Sequence, residues 1–241
     1  MKERPIPFSA PMVRATRAGT KTQTRRIAKW CNVAAGLNMS FSGLRAVETP
    51  AGWVLESDTR TSSEWRCDPT PCPYGRPGDR LWVREAFRFP ESLDHLSPSA
   101  VGDKALDAGY PKPWCPTQFE ADGQRRTVQE WRDFVTPPTP NEPGRLRPPM
   151  FMPRWASRDT LDVNLVRVER LQSISREDAL AEGIVKLKDG GYGLPAGEHY
   201  HFSDPRQSYF SLWEAINGPG SVEANPFVWV VGWHPLEADH G

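Results

Sequence analysis

The stretch that decides the fold is Gly19-Thr20-Lys21-Thr22-Gln23-Thr24-Arg25-Arg26, because a helix end, a turn and a strand meet in it. Ser9-Ala10-Pro11 and the apolar residues after it predict an N-capped helix of about two turns. Gly19 suits the left-handed position that ends such a helix. The β-branched and basic residues from Lys21 to Ile27 then predict a strand.

Charge is unevenly distributed along this neutral chain of 241 residues. The segment from Arg4 to Val47 contains eight basic residues and no Asp or Glu, so the rest holds 22 basic against 30 acidic residues. We expect the segment to form a cationic strip for a polyanion, nucleotide or phosphate, with a solvated basic turn as the alternative. Its basic residues are Arg4, Arg14, Arg17, Lys21, Arg25, Arg26, Lys29 and Arg45.

Length and composition favour one domain with long insertions, because the 25 prolines and 19 glycines cluster in irregular regions. We expect a single domain over residues 1–241, with core segments at about 5–27, 76–89, 155–185 and 207–236. Insertions are expected at about 28–75, which includes a small hairpin arm at Trp53-Val54-Leu55, and at about 90–150 and 186–206. The insertion at 90–150 is expected to be partly ordered by Trp114, Phe119, Trp131 and Phe134.

The chain contains no run of about 18 apolar residues and begins without an apolar signal region, so we expect a cytoplasmic protein. Reduced thiols are then expected for its cysteines. The spacing of Cys67 and Cys72 is a loose version of that in structural zinc sites, which keeps zinc as an alternative. The candidate ligands would be Cys31, Cys67, Cys72 and Cys115.

Several later segments carry regular patterns. Residues 76–79 form a turn signature before a predicted strand at 80–85. Apolar residues alternate over 160–170, and their change of parity predicts a bulge near Leu165-Val166. Ser175 and Asp178 predict a capping box for a short helix through Glu182 that Gly183 closes. With a helix at 208–216 and a buried strand at 226–233, these elements predict an α+β fold, a small β-barrel with peripheral helices.

The motif Gly19-x-Lys21-x-x-Thr24-x-Arg26 resembles the GxKxxExR signature of ASCH domains, a branch of the PUA-like superfamily. Residues 77–83, 161–182 and 227–233 are similar to further elements of that family. The resemblance implies a PUA-like β-barrel. Thr24 replaces the family's Glu, as in bacterial amidohydrolases that act on N4-acetylcytidine. The whole arrangement is also similar to phage and prophage ASCH-like proteins.

The resemblance to the amidohydrolases implies that Lys21, Thr24 and Glu182 are catalytic and need no metal. Thr24 would supply a nucleophile or position water, and Lys21 would act as base or stabilise the oxyanion. Glu182 would deprotonate water or hold Lys21, with Glu177 and Asp178 as alternatives. Because strand residues three apart point to opposite faces, Lys21 and Thr24 share a pocket only if the chain bends around Thr22.

A second group of residues is predicted to bind substrate or phosphate: Arg25, Arg26, Arg84, Arg154 and Trp155. The other strand tryptophans, Trp82, Trp229 and Trp233, are expected in the core. These predictions favour an amidohydrolase that removes an acyl group from a modified cytosine base, nucleoside or nucleic acid. The alternatives are a non-catalytic PUA-like module that binds RNA or modified DNA, and an ASCH-type ribonuclease.

Overall fold

The computed structural model describes residues 1–33, 39, 43–57, 66–126 and 142–234, and within these ranges the protein is mixed α+β. The helices are α1 (Ala10–Arg17), α2 (Pro98–Asp107), α3 (Arg176–Ala181) and α4 (Pro205–Asn217). The strands are β1 (Glu3–Pro7), β2 (Gln23–Ile27), β3 (Leu44–Thr49), β4 (Gly52–Ser57), β5 (Arg80–Arg84), β6 (Phe87–Arg88), β7 (Thr117–Phe119), β8 (Arg125–Arg126), β9 (Thr160–Arg170), β10 (Val185–Lys186), β11 (Tyr192–Gly193) and β12 (Phe227–Trp233).

The chain forms two compact units. The first contains residues 1–2, 18–79 and 162–235, and the second contains residues 3–17, 80–161 and 236–241. The predicted insertion at 90–150 contributes α2, β7 and β8 to the second unit, where Phe89, Val101 and Phe119 belong to one apolar core. Short apolar segments joined by proline-rich connections therefore hold more order than composition indicates. Trp131 and Phe134 lie outside the described residues.

In the first unit, β12 lies between β2 and β9 and is antiparallel to both. All seven residues of β12 are buried, because both of its faces are covered. Val228 and Val230 pack in a core with residues of α3 and α4, on what we call the helix face. On the opposite side, which we call the tryptophan face, the ring of Trp229 packs against Trp30 and Trp53.

The predicted bulge in β9 is confirmed, one residue earlier than expected. Gly232 pairs with Leu165 and Trp233 pairs with Val163, so Asn164 is the extra residue. A Cβ on Gly232 would lie 3.1 Å from both Leu165 Cβ and Asn164 Oδ1. Gly232 therefore allows the two strands to approach closely at the bulge.

Local signals also placed the turns correctly. Gly19 follows α1 with a φ of 72°, as predicted for the end of that helix. The Ser175 hydroxyl accepts a hydrogen bond from the Asp178 N–H at 3.0 Å and caps α3, and Gly183 follows with a φ of 101°. The predicted hairpin arm is the antiparallel pair β3–β4, and β2 begins at Gln23.

The remaining strands form open sheets. The first unit adds the pair β10–β11, and the second contains the parallel pair β1–β5 and the sheet β6-β7-β8. The described strands of each unit do not close into a barrel. No helix in the described ranges is both long and apolar enough to cross a membrane.

Candidate functional site

The side chains around β2 alternate between the two faces of its sheet. Lys21 forms an isolated bridge with Glu182, and the Thr22 N–H donates to the Ala181 carbonyl at 2.8 Å, so the chain is already extended before β2. Lys21 and Arg25 therefore lie on the helix face, together with Gln23. Since neighbouring residues alternate, Thr24 and Arg26 lie on the tryptophan face.

Glu182 lies between two buried cations. Its Oε2 accepts a hydrogen bond from Lys21 Nζ at 2.7 Å, and its Oε1 accepts one from Arg25 Nη1 at 3.1 Å. Lys21 Nζ also donates to the Glu182 carbonyl oxygen at 2.9 Å. The exposed fraction of the side chain is 2% for Lys21, 0% for Arg25 and 3% for Glu182. Charges this deeply buried are stable only when paired and hydrogen-bonded.

The pairs extend outwards to two further carboxylates and a third cation. Arg25 Nη2 donates to Glu169 Oε1 at 2.6 Å and to Asp178 Oδ2 at 2.9 Å. Arg167 donates to Glu169 Oε2 at 3.0 Å and also bonds to Asp178. Three cations thus balance three carboxylates. We call this set the charge network: Lys21, Arg25, Arg167, Glu169, Asp178 and Glu182.

Burial and pairing act in opposite directions on the pKa values of the network. Burial lowers the pKa of Lys21, although Glu182 opposes the change. Burial alone would raise the pKa of Asp178, but the charges of Arg25 and Arg167 hold it below its ordinary value. Burial and the neighbouring Glu182 raise the pKa of Tyr209, which stays neutral beside Arg25.

The predicted catalytic residues are only partly brought together. Lys21 and Glu182 are in direct contact. The bend around Thr22 that the set requires is not formed, because the chain stays extended and alternation turns Thr24 to the other face. Among the described residues, the Thr24 hydroxyl makes no hydrogen bond to Lys21 or Glu182. Of the alternative carboxylates, Asp178 belongs to the charge network and Glu177 is exposed.

The basic segment does not form a single cationic surface. Arg17 donates to Asp159 at 2.7 Å in the second unit, and Arg45 pairs with Glu56 at 2.8 Å in the first. Lys21 and Arg25 are buried and paired with carboxylates of the charge network. The expectation of one strip is wrong in these respects, because these basic residues pair with acidic residues from outside the segment.

The tryptophan face combines aromatic rings with polar groups. Trp229 lies directly across the strands from Arg26. The ring centroids of Trp30 and Trp53 lie 6.1 Å and 6.4 Å from that of Trp229, and both Trp30 and Trp53 are half-buried. Tyr74 is close enough to Arg26 for their charges to interact. Burial raises the pKa of Tyr74, and the charge of Arg26 opposes that rise.

The indole of Trp30 places a hydrogen-bond donor on this face. Trp30 Nε1 is buried and has no hydrogen-bond acceptor within the described part of the chain. Trp213 Nε1, in the apolar core of the same unit, is also buried without an acceptor among the described residues, so this feature alone does not indicate a ligand. Sequence reasoning missed Trp30, Trp53 and Tyr74 as site residues because isolated aromatics in irregular segments carry no periodic signal.

The other predicted binding residues lie in the second unit. The Arg84 guanidinium lies over the Trp82 ring at 4.6 Å and donates to the Met150 carbonyl. Arg154 pairs with Glu3 at 2.8 Å, and the ring of Trp155 stacks on Phe89. Trp82, Trp229 and Trp233 are buried, as expected for core residues.

The cysteines lie in unlike surroundings. Cys67 Sγ accepts a hydrogen bond from the Leu55 N–H at 3.1 Å in the first unit, whereas Cys115 lies in the apolar core of the second. Burial raises the pKa of both thiols. Over the described ranges, no group of three or more His, Cys, Asp or Glu residues could hold a metal ion.

Comparisons of the chain with protein families, curated proteins and solved structures found no match. The resemblance to ASCH domains therefore remains a prediction from the motif at residues 19–26.

Proposed function

We propose that the first unit is a PUA-like module that binds a base of a modified nucleoside or nucleic acid on its tryptophan face. The observation that carries the proposal is the position of half-buried Trp30 and Trp53 beside Trp229, on the face that also presents Arg26. Aromatic rings bind bases by stacking, and this interaction tolerates different sequences. Arginine can add paired hydrogen bonds to a phosphate or a base edge.

The charge network has a positioning role in this proposal. It anchors Lys21 and Arg25 on the helix face through Glu182. Alternation then directs Thr24 and Arg26 to the tryptophan face. A slip of one residue would exchange the two sets, so fixing the register of β2 also fixes the binding face.

The first test measures binding of a short fluorescent single-stranded RNA, with N4-acetylcytidine as competitor. We expect Trp30→Ala to weaken binding about tenfold, because stacking of one base contributes about 1–3 kcal/mol. Arg26→Ala should weaken binding and, if Arg26 contacts a phosphate, reduce the slope of log affinity against log salt by about 0.7.

The matched control is Lys29→Ala, which removes an exposed cation three residues from Arg26. This variant should keep the affinity of the unaltered protein. Equal affinities for Trp30→Ala, Arg26→Ala and the control would exclude the tryptophan face as the binding site. Analysis of the same RNA on a gel also tests the ribonuclease alternative.

Metal-independent amide hydrolysis is a second candidate, and the contact between Lys21 and Glu182 favours it. Burial lowers the pKa of Lys21, so a larger fraction of its amine is neutral at a given pH. Glu182 would then hold the amine in place at 2.7 Å. The position of Thr24 on the opposite face counts against Thr24 as the nucleophile.

The hydrolase candidate predicts release of acetate from N4-acetylcytidine. Lys21→Met should reduce the rate by about 100-fold or more, as expected for loss of a general base, while Lys29→Met should leave it unchanged. Circular dichroism should confirm that Lys21→Met stays folded. If the unaltered protein releases no acetate, hydrolysis of this substrate is excluded and the binding proposal is unaffected.

A further inference from the structure

The second unit contains a cleft of its own. Its volume is about 680 Å³, and two tryptophans and three cations are among the residues that line it: Trp114, Trp155, Lys112, Arg126 and Arg154. Clefts that bind small molecules usually span about 300–1,000 Å³ and combine apolar walls with a few polar groups. All of these residues belong to the second unit, whereas the residues of the tryptophan face belong to the first.

Stacking partners hold both indoles in fixed orientations. The Trp155 ring stacks on Phe89 with centroids 5.6 Å apart and planes at 5°, and the Trp114 ring stacks on Tyr110 at 5.8 Å and 12°. Both tryptophans are half-buried. Rings that are already ordered lose little conformational freedom when a ligand stacks on them.

Gly102 explains how the Trp155 ring fits against α2. A Cβ at this position would lie 3.1 Å from Trp155 Nε1 and 3.2 Å from Pro113 Cβ. Glycine in the middle of a helix disfavours that helix. Here it gives the indole and Pro113, which both line the cleft, the space to pack closely.

The cations of the cleft are incompletely balanced by carboxylates. The Arg126 guanidinium donates to the carbonyl oxygens of Trp155 and Ser157 at 3.1 Å and 3.2 Å, and both of these acceptors are neutral. Burial and the charge of Arg158 lower the pKa of Arg126, and the carboxylate of Glu85 opposes this only in part. Lys112 is exposed, and Arg154 is paired with Glu3. An anion entering the cleft would therefore stabilise Arg126 and Lys112.

We infer that this cleft binds one nucleotide unit, with its base stacked on the indoles of Trp114 and Trp155 and its phosphate near Arg126 and Lys112. The combination of planar aromatic rings and cations is the chemistry with which proteins hold an unpaired nucleotide. The nucleotide comes either from a free mononucleotide or from a single strand. This inference stands apart from the proposed base site of the first unit.

The experiment measures binding of adenosine monophosphate by titration calorimetry to the full chain carrying Arg26→Ala and Trp30→Ala. These substitutions remove the proposed site of the first unit, so the two proposals can fail separately. We expect Trp114→Ala in this background to weaken binding about tenfold and Lys112→Ala to weaken it about threefold. Lys112 is exposed, so its variant remains informative even if Trp114→Ala is less stable.

Two exposed cations outside the cleft provide matched controls. Lys104→Ala removes an exposed cation from α2. Arg125→Ala removes the cation next to Arg126 in the sequence, and the Arg125 side chain donates to Gln118. Both should bind adenosine monophosphate like the background protein.

Absence of adenosine monophosphate binding, or equal binding by Lys112→Ala, Trp114→Ala and the controls, would overturn the inference. The inference would also be overturned if inorganic phosphate bound with the same affinity as adenosine monophosphate, because the base would then contribute nothing to binding. A short single-stranded oligoadenylate distinguishes the two sources. Tighter binding of the strand per site assigns the cleft to nucleic acid, and equal binding assigns it to the free nucleotide.

Discussion

Replacing Glu182 by alanine is expected to lower the free energy of unfolding by about 3–5 kcal/mol. The reason is that Glu182 is the direct partner of two buried cations, Lys21 at 2.7 Å and Arg25 at 3.1 Å. Without it, the Lys21 ammonium keeps only the carbonyl oxygen of residue 182 and becomes an uncompensated buried charge. Arg25 is less affected, because Glu169 and Asp178 still accept its hydrogen bonds.

Urea unfolding monitored by circular dichroism measures this loss. Glu56→Ala is the matched control, because it breaks the pairs that Glu56 makes in the same unit with Arg45 and Arg66, whose side chains are 59% and 55% exposed. Exposed pairs contribute at most about 1 kcal/mol. Equal losses for the two variants would mean that the charge network does not stabilise the fold.

A double variant distinguishes the loss of the ion pair from the cost of leaving the Lys21 ammonium buried without a carboxylate. Lys21→Met combined with Glu182→Gln removes both charges of the buried Lys21–Glu182 pair. We expect this variant to be more stable than Glu182→Ala, because no ammonium is left buried without a carboxylate. Lower stability of the double variant would show instead that the contacts of Lys21 matter more than its charge.

The elements that the sequence predicted well are those that depend on local signals. Alternating and continuous apolar residues predicted β9 and β12, and the change of parity located the bulge at Asn164 to within one residue. Ser175 and Gly183 marked the ends of α3 because capping uses only neighbouring backbone groups. Signals of this kind depend only on residues close together in sequence, so they can be recognised without knowing how the rest of the chain folds.

The candidate site was harder to predict because its partners are distant in sequence. The carboxylate of Glu182 meets Lys21 across 161 residues, and only the resemblance to a known motif suggested this pair. The same motif grouped Thr24 with Lys21, whereas the alternation of the strand separates them. Charge counting failed for a similar reason, since Arg17 finds its carboxylate 142 residues away.

The aromatic surroundings of the proposed base site illustrate a further limit. Trp30, Trp53 and Tyr74 lie in segments without a clear period, so nothing in the sequence links them to Trp229. Trp30 and Trp53 meet Trp229 on one face only because β3–β4 and the residues after β2 pack against the strand β12. Proximity of this kind follows from tertiary packing and is invisible to any local pattern.

Replacing Trp229 by alanine is expected to cost about 3–5 kcal/mol of unfolding free energy, as for other large aromatic residues in a core. Trp229 is 1% exposed and contacts Trp30 and Trp53, so its removal leaves a cavity under the tryptophan face. Trp53→Ala, which removes a half-buried ring, should cost much less stability. Urea unfolding of both variants provides the comparison, and similar losses would contradict the packing described for this face.

These variants should differ in whether they change the stability of the protein, its RNA affinity, or both. Trp53→Ala should weaken RNA binding while the protein stays nearly as stable, because the ring is half-buried on the proposed site. Trp229→Ala should impair both properties, since the buried indole supports the rings that a base would contact. Glu182→Ala should keep its RNA affinity in the fraction that remains folded, because Arg25 still pairs with Glu169 and Asp178 and continues to hold β2 in register. A folded Glu182→Ala protein without RNA binding would show instead that binding requires Glu182 itself, either in contact with the ligand or as the residue that holds β2 in place.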